Sequence, residues 1–250
     1  MDNRARGIFI TLEGVDGSGK STKARMLGTA LEALGREVLL LREPGGTPIS
    51  EMVRDILLDP RNTDITPEAE LMLYEASRAQ LVTQVIRPAL ERGVVVICDR
   101  FYDSTYAYQA VGRGLPEDDV RRANALGSCG LVPDRTIVFD LSPHEALDRA
   151  THEDGADRME GAGVSFQRRV RRGYLKLAEA EPDRVRVVDG TGEKEQTYER
   201  MVAQLIDLLP ELEGAPTPAP AHSHDPIPAS MQWSPDAPVD ADPREGDARG

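Results

Sequence analysis

Short apolar runs recur along this chain, and longer stretches with helical spacing of apolar residues separate them. The runs are too continuous for strands with one solvated face, so each is expected to be buried on both sides. They cover residues 8–12, 38–41, 94–97, 136–141 and 185–188. Five such runs separated by helices predict an α/β fold in which a five-stranded parallel sheet forms the middle of a three-layer α/β/α arrangement.

Helical periodicity fills the segments between these runs. The predicted helices cover residues 20–34, 49–58, 67–92, 116–127, 143–151, 164–180 and 195–209. The longest of them ends at Gly93, a residue that commonly stops a helix. Ligands of open parallel sheets bind at the carboxyl ends of the strands, so the residues after Leu12, Leu41 and Ile97 are expected to converge.

The last forty residues differ in composition from the rest. Residues 211–250 hold eight of the chain's 18 prolines, and eight acids against two arginines give them −6 of the formal net charge of −13. Such a segment has few apolar side chains to offset the entropy of ordering. We predict a folded domain over residues 1–210 and a disordered tail over 211–250, in which Trp233 is an exposed ring or a weak docking point.

Charge and cysteine usage narrow the possible partners. An acidic chain lacks the basic surface that a polynucleotide-binding protein needs, so no nucleic-acid polymer is expected. No stretch of eighteen apolar residues is present, which argues against a membrane partner and for a cytoplasmic protein. Cys98 and Cys129 lie at no metal-ligand spacing and are interpreted as buried thiols.

A glycine-rich sequence follows the first predicted strand directly. Residues 14–21 read GVDGSGKS and match G-x-x-x-x-G-K-[ST]. In this P-loop motif the backbone amides surround an anion, Lys20 reaches the outer phosphates and Ser21 ligates magnesium. The predicted nucleoside triphosphate site comprises Gly14, Val15, Asp16, Gly17, Ser18, Gly19, Lys20, Ser21 and Thr22. A guanine-specific GTPase is disfavoured because the chain has no N-K-x-D sequence.

Asp99 and Arg100 stand at the end of the third predicted strand, which parallel topology brings beside the P-loop. A carboxylate at that position can hold Mg²⁺ or accept a proton, and a guanidinium there matches phosphate oxygens. A structural ion pair is the alternative interpretation of these two residues.

Six separated segments, in order, make residues 7–209 resemble bacterial thymidylate kinases, a family of P-loop nucleoside monophosphate kinases. The segments are EGVDGSGKST at 13–22, REPGGT at 42–47, YEASRAQL at 74–81, DRFYDSTYAYQ at 99–109, GRG at 112–114 and DRME at 157–160. The resemblance implies transfer of the γ-phosphoryl group of ATP to thymidine 5′-monophosphate (dTMP), with Mg²⁺, for dTTP synthesis. It also implies a homodimer.

The resemblance assigns roles around the acceptor base. Asp16 is similar to a carboxylate that contacts the acceptor nucleotide, although it is also a common turn residue. Tyr74 and Arg78 lie four residues apart on one helix face. They would stack on thymine and bond its edge, with core packing as the alternative for Tyr74.

Further implied contacts involve the acceptor's phosphate and sugar. Arg42 and Arg100 would hold the phosphate, and Glu43 would order magnesium or Arg100. The sugar and base would lie near Ser104, Thr105, Tyr108 and Gln109, and the Tyr108 ring would exclude a 2′-hydroxyl.

Residues 149–163 form the predicted lid. They are polar and glycine-rich, as a closing flap is expected to be. The P-loop itself carries no arginine, so the resemblance points to Arg149 and Arg158 as cations for the transferring phosphoryl group. Surface ion pairing is the alternative for both. At the level of the whole protein, the alternatives are a kinase for another pyrimidine nucleotide and a regulatory module that binds nucleotide without turnover.

Overall fold

The computed structural model describes residues 6–150, 158–159, 163–220 and 226–234. The strands are β1 (Phe9–Glu13), β2 (Val38–Arg42), β3 (Val95–Asp99), β4 (Arg135–Asp140) and β5 (Val185–Asp189). The α-helices are α1 (Lys20–Ala33), α2 (Pro48–Leu58), α3 (Pro67–Leu81), α4 (Arg87–Glu91), α5 (Tyr102–Thr105), α6 (Glu117–Gly127), α7 (Pro143–Ala150), α8 (Val164–Ala180) and α9 (Lys194–Val202). Two π-helical segments, Val82–Ile86 and Tyr106–Gly112, extend α3 and α5.

All five strands are parallel and lie in the order β2-β3-β1-β4-β5. The predicted fold class is therefore confirmed, because each apolar run became one strand of a single sheet. Pairing of β3 with β1 and β2 places Asp99 beside Leu12 on one side and Arg42 on the other. Within the described residues, no helix is both long and apolar enough to cross a membrane.

Apolar side chains cover both faces of the sheet. On one face, Ile10 and Ile97 pack against α1 and α9 through residues such as Leu27 and Met201. The opposite face carries a second cluster in which Val96 packs against the π-helical segment that follows α3. This double coverage explains why the strands read as continuous apolar runs.

Two helical predictions differ from the structure. Residues 102–112 are helical, although no helix was predicted there because tyrosines and polar residues obscure the apolar period. The helix predicted over 195–209 ends at Val202 and gives way to turns. Leu205 and Leu209 of the second segment are nevertheless fully buried, so their spacing reflects core packing without a continuous helix.

Part of the C-terminal segment packs on the domain, so the expectation of disorder does not hold for residues 226–234. Met231 is 1% exposed and belongs to the cluster beneath α1, and Trp233 packs against the cluster on the other face. Residues 211–220 of the predicted tail are also described, and Leu212 among them is 2% exposed in the cluster beneath α1. Residues 221–225 and 235–250 lie outside the described residues.

The two cysteines differ in exposure. Cys98 is fully buried in β3, as predicted, but Cys129 is exposed, and the prediction of a buried thiol there was wrong. Cys129 adopts a positive φ of 51° in the turn after α6, which carries it out of the packed layer.

Candidate active site

The P-loop joins β1 to α1 and leaves the start of that helix uncapped by any side chain. Gly19 precedes the helix at φ 85°, a left-handed conformation that glycine adopts without strain. Lys20 folds back and donates to the carbonyl oxygens of Gly14 and Val15 at 3.2 and 3.0 Å. The backbone amides of the loop, the N-terminus of α1 and the Lys20 ammonium group together make this loop suitable for binding an anion.

Ser21 and Asp99 form the best oxygen pair for a cation. The Ser21 hydroxyl donates to Asp99 Oδ2 across the gap between α1 and β3. Magnesium bound with a nucleotide takes few protein ligands and completes its shell with water and phosphate oxygens. Within the described residues no group of three or more acidic, histidine or cysteine side chains could hold a metal alone. The Ser21–Asp99 pair therefore suits a nucleotide-bound Mg²⁺.

Arg100 links the P-loop to the acceptor side. Its Nη1 donates to Gly14 O and Ser104 Oγ, each at 3.1 Å, and its Nη2 donates to Asp16 and Tyr108. Its φ of 71° is unusual for a side-chain-bearing residue, so the surrounding bonds must hold it in a strained backbone conformation.

Charges close to Arg100 are coupled to one another. Burial alone would raise the pKa of Asp16, but Arg100 and Lys20 outweigh burial and lower that pKa. Burial lowers the pKa of Lys20 to about 8, with Arg100 adding to the effect. An arriving polyphosphate would therefore favour the charged form of Lys20.

A cavity opens beside Arg100. Its lining residues are Glu43, Pro44, Tyr74, Arg78, Arg100, Phe101, Ser104, Thr105, Tyr108 and Gln109. The structure thus brings together seven of the nine residues predicted for the acceptor. Pro44 and Phe101 were not predicted, since an isolated proline or phenylalanine carries no chemical signal in sequence.

Glu43 occupies a different place from the predicted one. It accepts a hydrogen bond from Arg78 Nε at 2.8 Å, rather than meeting Arg100 or joining Ser21 and Asp99. Arg78 also donates to Glu75 at 2.5 Å and Thr105 at 2.9 Å. Since arginine has five N–H groups, Arg78 retains donors for a ligand.

Two other acceptor residues lie outside the cavity lining. Arg42 is exposed and makes two hydrogen bonds to Glu51, at 2.8 and 3.1 Å. Asp16 bonds to Arg100 and to the Tyr108 hydroxyl, which places it at the edge between the P-loop and the cavity.

Glu13 and Tyr174 take part in the site but were not singled out from sequence. Glu13 is fully buried and accepts from Phe101 N at 2.7 Å, Ser104 Oγ at 2.6 Å and Tyr174 Oη at 2.9 Å. Burial raises the pKa of Glu13 to about 7. An acid closing an apolar strand was the available signal for Glu13, whereas Tyr174 gave none.

The two lid arginines contact different parts of the molecule. Arg149 Nη1 donates to Gly190 O at 3.3 Å, next to the loop after β5. Arg158 Nε donates to Leu57 O at 2.7 Å, and Nη2 lies 2.7 Å from Glu70. Residues 151–157 and 160–162 of the predicted lid lie outside the described residues. The role predicted for Arg158, neutralising the transferring phosphoryl group, stays a prediction. Its observed partners, Leu57 O and Glu70, favour a positioning role instead.

A P-loop at the first strand of a parallel sheet, with a cavity against it that Arg100 lines, is typical of a kinase that phosphorylates a small acceptor. Comparison with known proteins identifies the family. The family model for thymidylate kinase matches residues 12–201. The chain belongs to the thymidylate kinase family, whose members phosphorylate dTMP with ATP.

Individual relatives agree with this assignment. A thymidylate kinase of Chlorobaculum tepidum is 47% identical over 211 residues, covering 81% of this chain and 98% of the relative. The corresponding protein of Deinococcus radiodurans is 50% identical over 187 residues, covering 75% and 90%. The crystal structure of thymidylate kinase from Ehrlichia chaffeensis superposes with a TM-score of 0.66 at 31% identity, covering 82% of this chain and 99% of that one.

Proposed function

We propose that the described site transfers the γ-phosphoryl group of ATP to dTMP, giving dTDP and ADP. The observation that carries this proposal is the position of Arg100, which bonds to Gly14 in the P-loop and also lines the acceptor cavity. Two anion sites that share one guanidinium suit an in-line transfer between two phosphates, because the shared cation reduces their repulsion.

On the donor side, the P-loop amides and Lys20 would hold the β- and γ-phosphates. Ser21 and Asp99 would hold Mg²⁺, either directly or through water. The Mg²⁺ ion would neutralise negative charge on the donor phosphates. Ser21 and Asp99 already face each other at the mouth of the P-loop. Their positions follow from the start of α1 and the end of β3, so little rearrangement of this chain is needed.

On the acceptor side, the pyrimidine would lie between Tyr74 and the remaining N–H groups of Arg78. The deoxyribose would lie over Tyr108, whose ring is buried and tied to Asp16 through its hydroxyl at 3.0 Å. A ring held in this way leaves no room for a 2′-hydroxyl, which favours deoxyribose by exclusion.

Three arginines would surround the moving group. Arg100 would bind the acceptor phosphate, and Arg42 would also bind it after releasing Glu51. The Arg42 guanidinium now donates two hydrogen bonds to the carboxylate of Glu51, and it can donate two in the same geometry to a phosphate. Arg149, at the start of the predicted lid, is the cation proposed to neutralise the transferring group.

A homodimer is proposed from the exposed surface of α2, α3 and α6. Ile49, Met52 and Ile56 form one apolar stripe along α2, and Met72 and Leu126 extend it. Leu126 is 80% exposed, which is unusual for a leucine without a partner. Sedimentation of the wild type and of Leu126→Glu would test this, with a shift from dimer to monomer expected for the variant.

A cytoplasmic location is also proposed. Cys98 and Cys129 are both free thiols, which suits a reducing compartment.

A coupled ADP-release assay tests the activity. We expect turnover with dTMP, ATP and Mg²⁺, less with deoxyuridine monophosphate and least with uridine monophosphate. Preferential turnover of uridine monophosphate would replace this proposal with a kinase for another pyrimidine nucleotide. Binding of ATP without any turnover at micromolar enzyme would instead indicate a regulatory module.

A further inference from the structure

Glu70, near the start of α3, is a buried carboxylate that no motif singled out. It is 1% exposed and receives Gln109 Nε2 at 2.7 Å, Arg113 Nε at 3.1 Å and Arg113 Nη2 at 3.0 Å. Burial alone would raise the pKa of Glu70, but the bonds from Arg113 and Gln109 outweigh burial and lower that pKa. Glu70 is therefore an ionised carboxylate, which can only accept hydrogen bonds.

That charge fixes which way the Gln109 amide points. Because a carboxylate cannot donate, the amide nitrogen of Gln109 must face Glu70. Gln109 lines the acceptor cavity, and since its amide nitrogen is committed to Glu70, its carbonyl oxygen Oε1 is the group left for a ligand. Gln109 therefore presents a hydrogen-bond acceptor, its carbonyl oxygen, to the cavity. Thymine and uracil carry an N–H at N3 that can donate to it, whereas cytosine presents a bare acceptor nitrogen there.

Glu70 also contacts Arg158, which belongs to the predicted lid. Arg158 Nη2 lies 2.7 Å from Oε2, in an ion pair whose angle departs from that of a hydrogen bond. The neighbouring Met159 is buried in the same cluster as Tyr108, and its sulfur lies 3.5 Å from Arg113 Nη2. Arg158 therefore lies between the end of α2 and the carboxylate that orients Gln109.

We propose that Glu70 is a positioning residue that orients the Gln109 carbonyl toward the acceptor base and ties that orientation to the position of Arg158. The inference rests on the proposed function, since it assigns the base-reading element of the same site. Acceptor selection and the position of Arg158 then depend on one buried charge. A cytosine nucleotide, which has no N–H at N3 to donate to Gln109, would also disturb the group that holds Arg158.

Glu70→Gln tests the orienting role, because glutamine keeps the shape but can donate as well as accept. We expect the KM for dTMP to rise by roughly tenfold or more, the size of one hydrogen bond to a charged group, with little change in the KM for ATP. The ratio of kcat/KM for dTMP over deoxycytidine monophosphate should fall by a similar factor. Glu117→Gln is the matched control. Glu117, like Glu70, accepts hydrogen bonds from two side chains, here Tyr106 and Lys176, but it lies outside the site.

Arg158→Gln tests the tie between Glu70 and Arg158. It leaves the buried Glu70–Arg113 pair intact, so it can be measured even if Glu70→Gln fails to fold. We expect a higher KM for dTMP, and a double variant no worse than Glu70→Gln alone, because the two residues act as a unit. A fall in kcat with unchanged KM for dTMP would overturn this role and return Arg158 to the transferring phosphoryl group. Unchanged dTMP selectivity in a folded Glu70→Gln variant would overturn the orienting role. Inactivity of the wild type on dTMP would instead refute the proposed function.

Discussion

Ser21 donates its hydroxyl to Asp99, and this bond joins the first turn of α1 to the last residue of β3. The two residues are 78 positions apart in sequence, so only the parallel pairing of β1 with β3 brings them together. A hydroxyl and a carboxylate so placed match the ligand preference of Mg²⁺.

Asp99→Asn is expected to weaken metal use. The amide keeps the shape but removes the negative charge, so the Mg²⁺ concentration for half-maximal rate should rise by roughly 10- to 100-fold. The measurement is a magnesium titration of the initial rate at fixed ATP and dTMP. Asp119→Asn, on the exposed face of α6, is the control. An unchanged titration curve would remove Asp99 from the metal site.

Tyr108 offers a test that separates its ring from its hydroxyl. Tyr108→Ala should gain activity on uridine monophosphate, because space for a 2′-hydroxyl opens. Tyr108→Phe keeps the ring and loses only the bonds to Asp16 and Arg100, so it should retain the deoxyribose preference while its kcat falls. Rates on deoxyuridine and uridine monophosphates measure both effects. If the alanine variant gains no activity on uridine monophosphate, exclusion by the ring is refuted.

Arg149 is expected to act in the chemical step rather than in binding. Arg149→Ala should lower kcat by roughly 10²-fold or more if the guanidinium neutralises the transferring phosphoryl group. Arg168, an exposed arginine on the neighbouring helix, provides the matched alanine control. Steady-state kinetics with dTMP varied at saturating ATP separates kcat from KM. Wild-type turnover in Arg149→Ala would assign this residue to the surface.

The stability of the protein should decline as pH rises from weakly acidic to neutral. Burial raises the pKa of Glu43 to about 8 and that of Glu13 to about 7, from 4.5. A carboxyl with a raised folded-state pKa contributes stability that is fully present below its unfolded pKa. That contribution is lost as pH rises through the folded value.

Glu43→Gln removes one of these two groups. Between roughly pH 5 and 8 the unfolding free energy of the wild type should fall more steeply than that of the variant, by about 1.4 kcal/mol per pH unit. The slopes of the two curves are compared rather than their absolute unfolding free energies, because the variant also alters the hydrogen bond that Arg78 Nε donates to Glu43. Urea unfolding at several pH values gives the slopes, and parallel curves would contradict the raised pKa of Glu43.

The sequence alone predicted those features in which the residue type has one dominant structural role. Buried apolar runs predicted all five strands, and the glycine-rich motif predicted the loop between β1 and α1 that leads into Lys20 and Ser21. The DRFYDSTYAYQ segment contributes six of the residues that line the cavity, although its helical conformation was not predicted. Its tyrosines and polar side chains hide the apolar period of a packing helix, as is expected where local rules are broken at a functional site.

Residues that act through other residues were harder to find. Glu70 shares one face of α3 with Tyr74 and Arg78 at four-residue spacing, yet an acid near a helix start is ordinarily solvated and favoured by the helix dipole. Arg42 and Glu43 are adjacent, but their partners, Glu51 and Arg78, lie on different helices. Such pairings depend on tertiary packing, which spacing in one sequence does not encode.

Residues 226–234 are expected to stabilise the domain without serving catalysis. Met231 is buried over Gly28 of α1, where an added Cβ would lie 2.9 Å from its sulfur, and it also contacts the cluster that includes Leu40. A chain ending at Pro220 loses this contact, whereas one ending at Ser234 keeps it. The shorter chain should unfold roughly 5–15 °C lower, the effect of removing one large buried side chain from a domain of this size. Its turnover of dTMP at 25 °C should match that of the longer chain.

Trp233 allows the docking of this segment to be observed directly, because it is the chain's single tryptophan and packs against the second core cluster. Met231→Asp would bury an unpaired charge, so the segment should detach and the emission of Trp233 should shift to longer wavelength in the otherwise folded protein. Met231→Leu, which keeps a buried apolar side chain of similar volume, should preserve the wild-type spectrum. Identical spectra for the aspartate and leucine variants, together with equal melting temperatures for the two truncated chains, would mean that residues 226–234 contribute nothing to the fold.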